Sequence, residues 1–323
     1  MRKLIVGIGA ALVDILVSED EAFLEKTGAA KGGMKLVDNL FIENVLSKTA
    51  SKPFIVPGGS ACNTIIGIGQ LGGEARFIGK RGEDELGMIF ENSLKKSNIE
   101  PKLLISKDSP TGKVLSIITP DAQRSMFTFL GASSDLAGKE IIASYFEGAK
   151  IVHIEGYLVV NQELFLEILK VSKKSGAKIC LDLSSFTIVE ASKELLKEVA
   201  KEFVDIIIAN EDEAYAFTGY REELKALEEL SKFSDIAVQK IGKRGSYISH
   251  AGKVLHISPM GNGKALDTTG AGDLWASGFL FGLANGYSLE QCGKIGSACG
   301  WEVCQVIGAN IPEDGWKRIK KLI

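Results

Sequence analysis

The sequence predicts an α/β protein with a mainly parallel central sheet. Three observations lead there. From position 151 onward, short apolar runs alternate with longer amphipathic segments: 151–154 before 161–174, 178–183 before 192–202, 206–209 before 211–217, and Ile236–Lys240 before a glycine-rich turn. The runs are apolar throughout rather than at every second position, as expected of strands covered on both faces by crossover helices. The turns richest in glycine and polar residues each follow such a run, and ligands of open parallel sheets bind at the carboxyl ends of strands.

Composition bounds the function. A chain of 323 residues with 45% hydrophobic and 24% charged residues can bury a large core as an ordinary soluble protein. A net charge of −3 gives no footprint for a nucleic-acid backbone. Cys62, Cys180, Cys292, Cys299 and Cys304 form no C-x-x-C pair and only three histidines are present, so buried thiols in a reducing cytoplasm fit better than zinc or disulfides. Met1-Arg2-Lys3 before an apolar run looks superficially like a signal peptide, but Asp14 interrupts the run. No stretch reaches the roughly 18 uncharged apolar residues of a membrane span. A cytoplasmic location with no membrane partner is the expectation.

The first strand is read at Leu4–Ile8. Gly7-Ile8-Gly9 resembles the start of a dinucleotide fingerprint, but Leu12 takes the place of its third glycine. Asp14 is either a surface turn residue or a carboxylate suited to a vicinal diol. Positions 15–55 read as mixed and polar, with Gly32-Gly33 as a turn. Pro57-Gly58-Gly59-Ser60-Ala61-Cys62-Asn63 opens a helix through Leu71, bringing backbone close to something at Gly58 and Gly59 and placing Asn63 one turn in. Phe77-Ile78-Gly79-Lys80-Arg81-Gly82-Glu83-Asp84-Glu85-Leu86-Gly87 is a second glycine-bearing stretch, which the resemblance named below reads as strand, turn and helix start with Asp84 as a cap. Positions 111–119 and 126–130 read as a hairpin joined by Pro120-Asp121-Ala122-Gln123-Arg124, whose Arg124 is a solvated tip charge unless it reaches inward.

Asn210-Glu211-Asp212-Glu213 follows a strand. It is either an acidic helix start favoured by the dipole or an oxygen-donor pair for Mg²⁺, which keeps most of its waters. Ile241-Gly242-Lys243-Arg244-Gly245 is a glycine-rich turn after Lys240, and its two basic residues read as a solvated loop. The densest chemistry lies at Asp267-Thr268-Thr269-Gly270-Ala271-Gly272-Asp273, followed by an apolar helical run 274–283. Glycines at a helix start expose backbone N–H groups that attract anions. Asp273 is then a carboxylate inside an anion site: either a cap, or a base beside a transferring phosphoryl group.

That last stretch resembles the C-terminal signature of the ribokinase-like (PfkB) family of sugar and nucleoside kinases. The 57–63 and 77–87 turns are similar to the family's N-terminal signature, and Asn210 with Glu213 to its N-x-x-E motif. The resemblance covers nearly the whole chain and is closest to bacterial adenosine-kinase-like members through 119–132. It implies a three-layer α/β/α ribokinase-like fold with a mainly parallel central sheet and a small β-strand lid, as a single domain over 1–323 with lid segments within 12–55 and 100–132. It implies transfer of the γ-phosphate of ATP to a primary hydroxyl. Asp273 would be the base, with Gly270, Ala271 and Gly272 as the anion hole. Asp14, Gly58, Gly59, Asn63 and Arg124 would hold the acceptor. Lys240, Gly242, Gly245, Thr268 and Gly308 would lie along the nucleotide, with Lys240 standing where the family's turn carries a hydroxyl. Asn210 and Glu213 would serve Mg²⁺. The turn 305–309 is expected beside adenine or a monovalent cation such as K⁺. The acceptor is expected to be a nucleoside, adenosine first, with ribose, fructose or a related sugar as the alternative; Phe127, Phe129 and Tyr157 are candidates for a purine slot. Monomer and homodimer both stay open.

Other classes fare worse. No G-x-x-x-x-G-K-[ST] exists, which excludes a P-loop kinase. A nicotinamide-dependent oxidoreductase lacks its third glycine and later acidic residue. A non-catalytic relative would be expected to lose Asp273 and Glu213 first. No internal repeat or low-complexity segment is present.

Overall fold

A computed structural model describes residues 3–323 except 29, 30, 32, 122, 262 and 263. The expected turn at Gly32 and the hairpin-tip residue Ala122 therefore lie outside the described residues. The chain runs through β1 (Leu4–Ile8), β2 (Leu12–Ser18), α1 (Glu21–Lys26), β3 (Met34–Leu36), α2 (Asn39–Leu46) and β4 (Phe54–Gly58). It continues through α3 (Ser60–Gln70), β5 (Ala75–Gly82), α4 (Glu85–Lys96), β6 (Ile99–Ser106), β7 (Gly112–Ile118) and β8 (Arg124–Phe129). Then follow β9 (Ala149–Glu155), α5 (Gln162–Lys174), β10 (Lys178–Asp182), α6 (Phe186–Phe203), β11 (Ile206–Asn210), α7 (Glu211–Thr218) and α8 (Glu223–Leu230). The chain ends with β12 (Ile236–Lys240), β13 (Ser246–His250), β14 (Lys253–Ile257), α9 (Ala271–Asn285), α10 (Leu289–Val303) and α11 (Glu313–Lys320).

The large sheet has the order β14-β13-β12-β11-β10-β9-β1-β5-β6. Pairings from β6 through β12 are parallel, and β13 and β14 add an antiparallel edge. Side chains alternate across a strand, so each strand feeds both neighbouring layers. On β9, Val152 and Ile154 join a core with Phe165 of α5, Leu196 of α6, Phe217 of α7 and Leu227 of α8. Ile151 points the other way, into a core with Ile65 of α3, Phe90 of α4 and Phe279 of α9. The result is the expected ribokinase-like three-layer α/β fold. No described helix is long and apolar enough to cross a membrane.

A second sheet, ordered β3-β8-β7-β2-β4, covers one edge of the first. One of its faces carries Ile15, Val17, Leu115, Ile117 and Phe127, which pack on Leu24 of α1 and on Ile42 and Val45 of α2. The opposite face, by the same alternation, presents Asp14, Val114, Ser116, Arg124 and Met126 to a cavity. This corrects the purine-slot expectation for Phe127 and Phe129. Both lie on the odd face, where Phe127 is fully buried with its ring 4.8 Å from that of Phe41 and Phe129 packs against the same small core. Three boundaries also differ. Arg124 begins β8 instead of sitting in the preceding turn, β4 carries the lid to Gly58, and α6 begins at Phe186 with a break at Ser192 (φ −127°).

Candidate active site

Four strands end on a polar residue at one sheet edge: Glu155 ends β9, Asp182 ends β10, Asn210 ends β11 and Lys240 ends β12. Each shares the face of the apolar residue two positions earlier or a multiple of it: Ile151, Cys180, Ile208 and Val238, all of the α3/α9 core. All four line one cavity of about 1240 Å³ between the large sheet and the lid.

The anion turn stands above them. Gly270 caps α9 at φ +71°, a conformation that disfavours other residues, and a Cβ there would lie 2.6 Å from that of Ala309. The Ala271 N–H closes the turn onto the Thr268 carbonyl at 3.1 Å, so of the three expected anion-hole amides this one is already engaged. The N–H groups of Gly272 and Asp273 lie in the first helical turn and have no intrahelical acceptor by position. Asp267 braces the turn from behind, accepting from Thr269 N and Thr269 Oγ1 at 2.9 and 2.7 Å and from Gly308 N at 2.8 Å. The N–H of Gly308 is thus committed to Asp267, and Gly308 does not line the cavity, whereas Thr268, Gly242 and Gly245 do.

Asp273 is held by the start of α3. Ser60 Oγ donates to one carboxylate oxygen at 2.8 Å, Asn63 Nδ2 donates to the other at 3.0 Å, and Thr64 Oγ1 donates to the Asp273 carbonyl at 3.1 Å. Burial pushes the Asp273 carboxyl up to about 6, against the pull of these two donors. Asn63, which the resemblance gave to the acceptor, lines the cavity and turns its amide nitrogen to this carboxylate. Gly59, the N-cap of α3, adopts φ +93°, and a Cβ there would meet the Ala10 carbonyl oxygen at 2.5 Å. Gly58 leaves room for Asp14, whose Oδ1 would sit 2.3 Å from an added Cβ. Asp14 is no surface turn residue: burial raises its carboxyl to about 7, opposed by the Arg124 guanidinium.

Arg124 is no solvated tip charge either. Its side chain is 8% exposed, and it donates to Asp267 Oδ2 at 3.2 Å, to Thr269 Oγ1 and to Ser116 Oγ at 3.0 Å. Lid and anion turn are therefore bonded to each other.

Asn210 and Glu213 form a capping box on α7: Glu213 N donates to Asn210 Oδ1 at 2.9 Å, and Glu213 accepts from Asn210 N and Nδ2 at 2.8 and 2.7 Å. Burial raises the Glu213 carboxyl to about 7, opposed by the Lys240 ammonium. Lys240 Nζ lies 3.2 Å from Asp182 Oδ2. Burial disfavours its charge, but Asp182, Glu213 and Asp273 together hold its pKa above the ordinary value. Among the described residues no group of three or more His, Cys, Asp or Glu could ligate a metal directly.

Sequence reasoning missed Glu155 and Asp182. Glu155 is buried and accepts from Ala10 N at 2.8 Å and Ala61 N at 2.9 Å, tying the β1–β2 crossing to α3, and burial pushes its carboxyl up to about 7. The signal was present in K-I-C-L-D and I-V-H-I-E, two mostly apolar strand runs that each end on a carboxylate.

An amide-lined helix start with a buried carboxylate in its first turn, at the carboxyl edge of a parallel sheet and under a β lid, marks a kinase: a phosphotransferase with an alcohol as acceptor. The chain belongs to the pfkB family of carbohydrate kinases, whose sequence pattern it matches over residues 24–315. It is 26% identical to the adenosine kinase of Saccharomyces cerevisiae, over 97% of this chain and 98% of that one. Among solved structures it is similar to a probable sugar kinase from Rhizobium etli (TM-score 0.91, 30% identity, 100% and 99% of the two chains covered). It is equally similar to the adenosine kinase of Sinorhizobium meliloti (TM-score 0.90, 30% identity, 100% of each chain covered).

Proposed function

We propose that this kinase transfers the γ-phosphate of ATP to the primary hydroxyl of a nucleoside, adenosine first. The observation that carries the acceptor class is the apolar part of the cavity lining that Asp14 shares. Met34, Leu36 and Met126 of the lid, Leu130 just after it, and Tyr157 and Val160 just after β9 line the cavity, and Met34, Leu36, Tyr157 and Val160 are exposed large apolar side chains. A bare sugar offers little apolar surface to such a lining, whereas a purine covers it. Asp14 suits the ribose diol, and Tyr157 remains the aromatic candidate for the base.

In this reading Asp273 accepts the proton of the attacking hydroxyl. A carboxyl near 6 is mostly ionised at neutral pH yet basic enough to help. Ser60 and Asn63 hold its two oxygens, fixing the direction in which the remaining lone pairs point. The Gly272 and Asp273 amides, with Gly270 at the turn, face the charge that develops on the phosphoryl oxygens. Arg124 holds the lid down, which keeps water from competing for the phosphoryl group. Asn210 and Glu213 offer the two-oxygen outer set that suits Mg²⁺, an ion that keeps its own waters, and when bound Mg²⁺ would neutralise phosphate charge. A monovalent cation such as K⁺ belongs to the same proposal through the 305–309 turn, which braces Asp267 by the Gly308 N–H. Titrating activity with KCl in a sodium-free buffer checks it.

The test of the reading is ADP release with Mg-ATP across adenosine, inosine, guanosine, ribose, fructose and related sugars. A nucleoside-specific signal lost in Asp273→Asn is expected. A signal confined to sugars would replace the acceptor class while leaving the reaction in place.

A further inference from the structure

The cavity is strongly acidic for a site meant to take a triphosphate. Asp14, Glu155, Asp182, Glu213 and Asp273 all line it. Of the cations facing them, Arg124 is paired to Asp267, and Lys243 lies on an exposed loop. Lys240 stands at the glycine end of the turn, away from the Asp267 and Thr269 that Arg124 holds: a Cβ added to Gly272 would lie 3.0 Å from its Nζ. Its side chain is 14% exposed, so the ammonium is fixed by the end of β12 rather than free to sweep solvent. Its one close partner, Asp182 Oδ2, sits at 3.2 Å and leaves further ammonium hydrogens uncommitted. A lysine here supplies a full positive charge where a hydroxyl would supply a dipole.

We propose that Lys240 is a catalytic residue that donates hydrogen bonds to the γ-phosphoryl oxygens of the donor and stays charged throughout transfer. The bond from the acceptor oxygen to the γ-phosphorus forms as the bond to the β–γ bridging oxygen breaks. The electron pair leaves with ADP, the hydroxyl proton goes to Asp273, and Lys240 keeps all its protons. A side chain at Gly272 would press on this ammonium, since its Cβ would lie 3.0 Å from Nζ. This inference rests on the kinase reading but not on the identity of the acceptor. The competing view makes Lys240 only the ion-pair partner of Asp182.

Calorimetric titration with ADP and with the non-hydrolysable β,γ-imido analogue of ATP separates the two views. Lys240→Met is expected to weaken the analogue about tenfold or more while leaving ADP within about twofold, and to lower kcat about 100-fold, the scale of one lost transition-state donor. Equal weakening of both nucleotides, or kcat within about threefold of the parent, would overturn the proposal. Asp182→Asn, nearly isosteric, guards against a methionine variant that fails to fold. Freeing Lys240 from its partner should tighten the analogue and not ADP, and a weakened or unchanged analogue would count against the role. Failure of the kinase reading looks different: the parent protein itself would then show no turnover with any acceptor and no preference for the analogue.

Discussion

Arg124 of the lid and Asp267 of the anion turn are 143 residues apart in sequence and 3.2 Å apart in space. The pair is nearly fully buried, with side chains 8% and 9% exposed, so it is screened little by salt. Removing either partner leaves a largely buried charge with only neutral hydrogen-bond partners, Thr269 and Gly308 for Asp267 or Thr269 and Ser116 for Arg124, which costs more than breaking an exposed pair would. We expect Arg124→Ala and Asp267→Ala each to lower kcat/KM for the acceptor by about 10- to 100-fold. The double variant should lose less than the product of the two, with a coupling of at least about 1 kcal/mol. A double-mutant cycle on kcat/KM measures this, and strict additivity would show that lid and turn act independently.

Asp273, as the proposed base, is expected to set the acid limb of the rate profile. Its carboxyl is raised to about 6, so protonation removes the base as pH falls through that value. The expected plot of log kcat/KM rises with unit slope below about pH 6 and flattens above. Asp273→Asn should lower kcat by several orders of magnitude and leave nucleotide affinity within a few-fold. A profile flat from pH 5 to 8 would remove Asp273 from the role of base.

Gly58 tests whether Asp14 works on the acceptor. Gly58→Ala puts a methyl group 2.3 Å from Asp14 Oδ1 and forces that carboxylate to move. The variant is expected to raise KM for the acceptor about tenfold or more with KM for ATP unchanged. Initial-rate kinetics with each substrate varied in turn distinguish this from a general loss of packing, which would move both constants.

Glu155 links stability to pH. It holds two backbone N–H groups, so Glu155→Ala should cost about 2–4 kcal/mol by leaving both unpaired. Its folded value of about 7 lies above its ordinary 4.5. The stability it contributes is thus fully present below about 4.5 and is lost as pH rises through about 7, because the folded chain holds a proton that the unfolded chain releases. Asp14 and Glu213 are raised in the same direction. The nucleotide-free protein should therefore melt higher at pH 6 than at pH 8, and differential scanning calorimetry at several pH values checks the sign.

The sequence by itself determined the sheet class, most strand positions and the two glycine-bearing turns. These are local properties: apolar runs report burial on both faces, and Gly270 and Gly59 are needed for backbone at positive φ. It also placed Asp273 in the first turn of a helix that opens on a glycine. Tertiary structure decided who works with whom. Asn63 could be assigned to Asp273 and Arg124 to Asp267 only after segments more than a hundred residues apart were packed together. Glu155 and Asp182 went unremarked in the sequence; the parallel register pairs them with each other, and packing brings Asp182 to Lys240. Phe127 went to the lid's own core because a strand shows its face only when its register is known. A chain encodes its burial pattern residue by residue, but a catalytic arrangement is a set of distances between segments, and those exist only in the folded molecule.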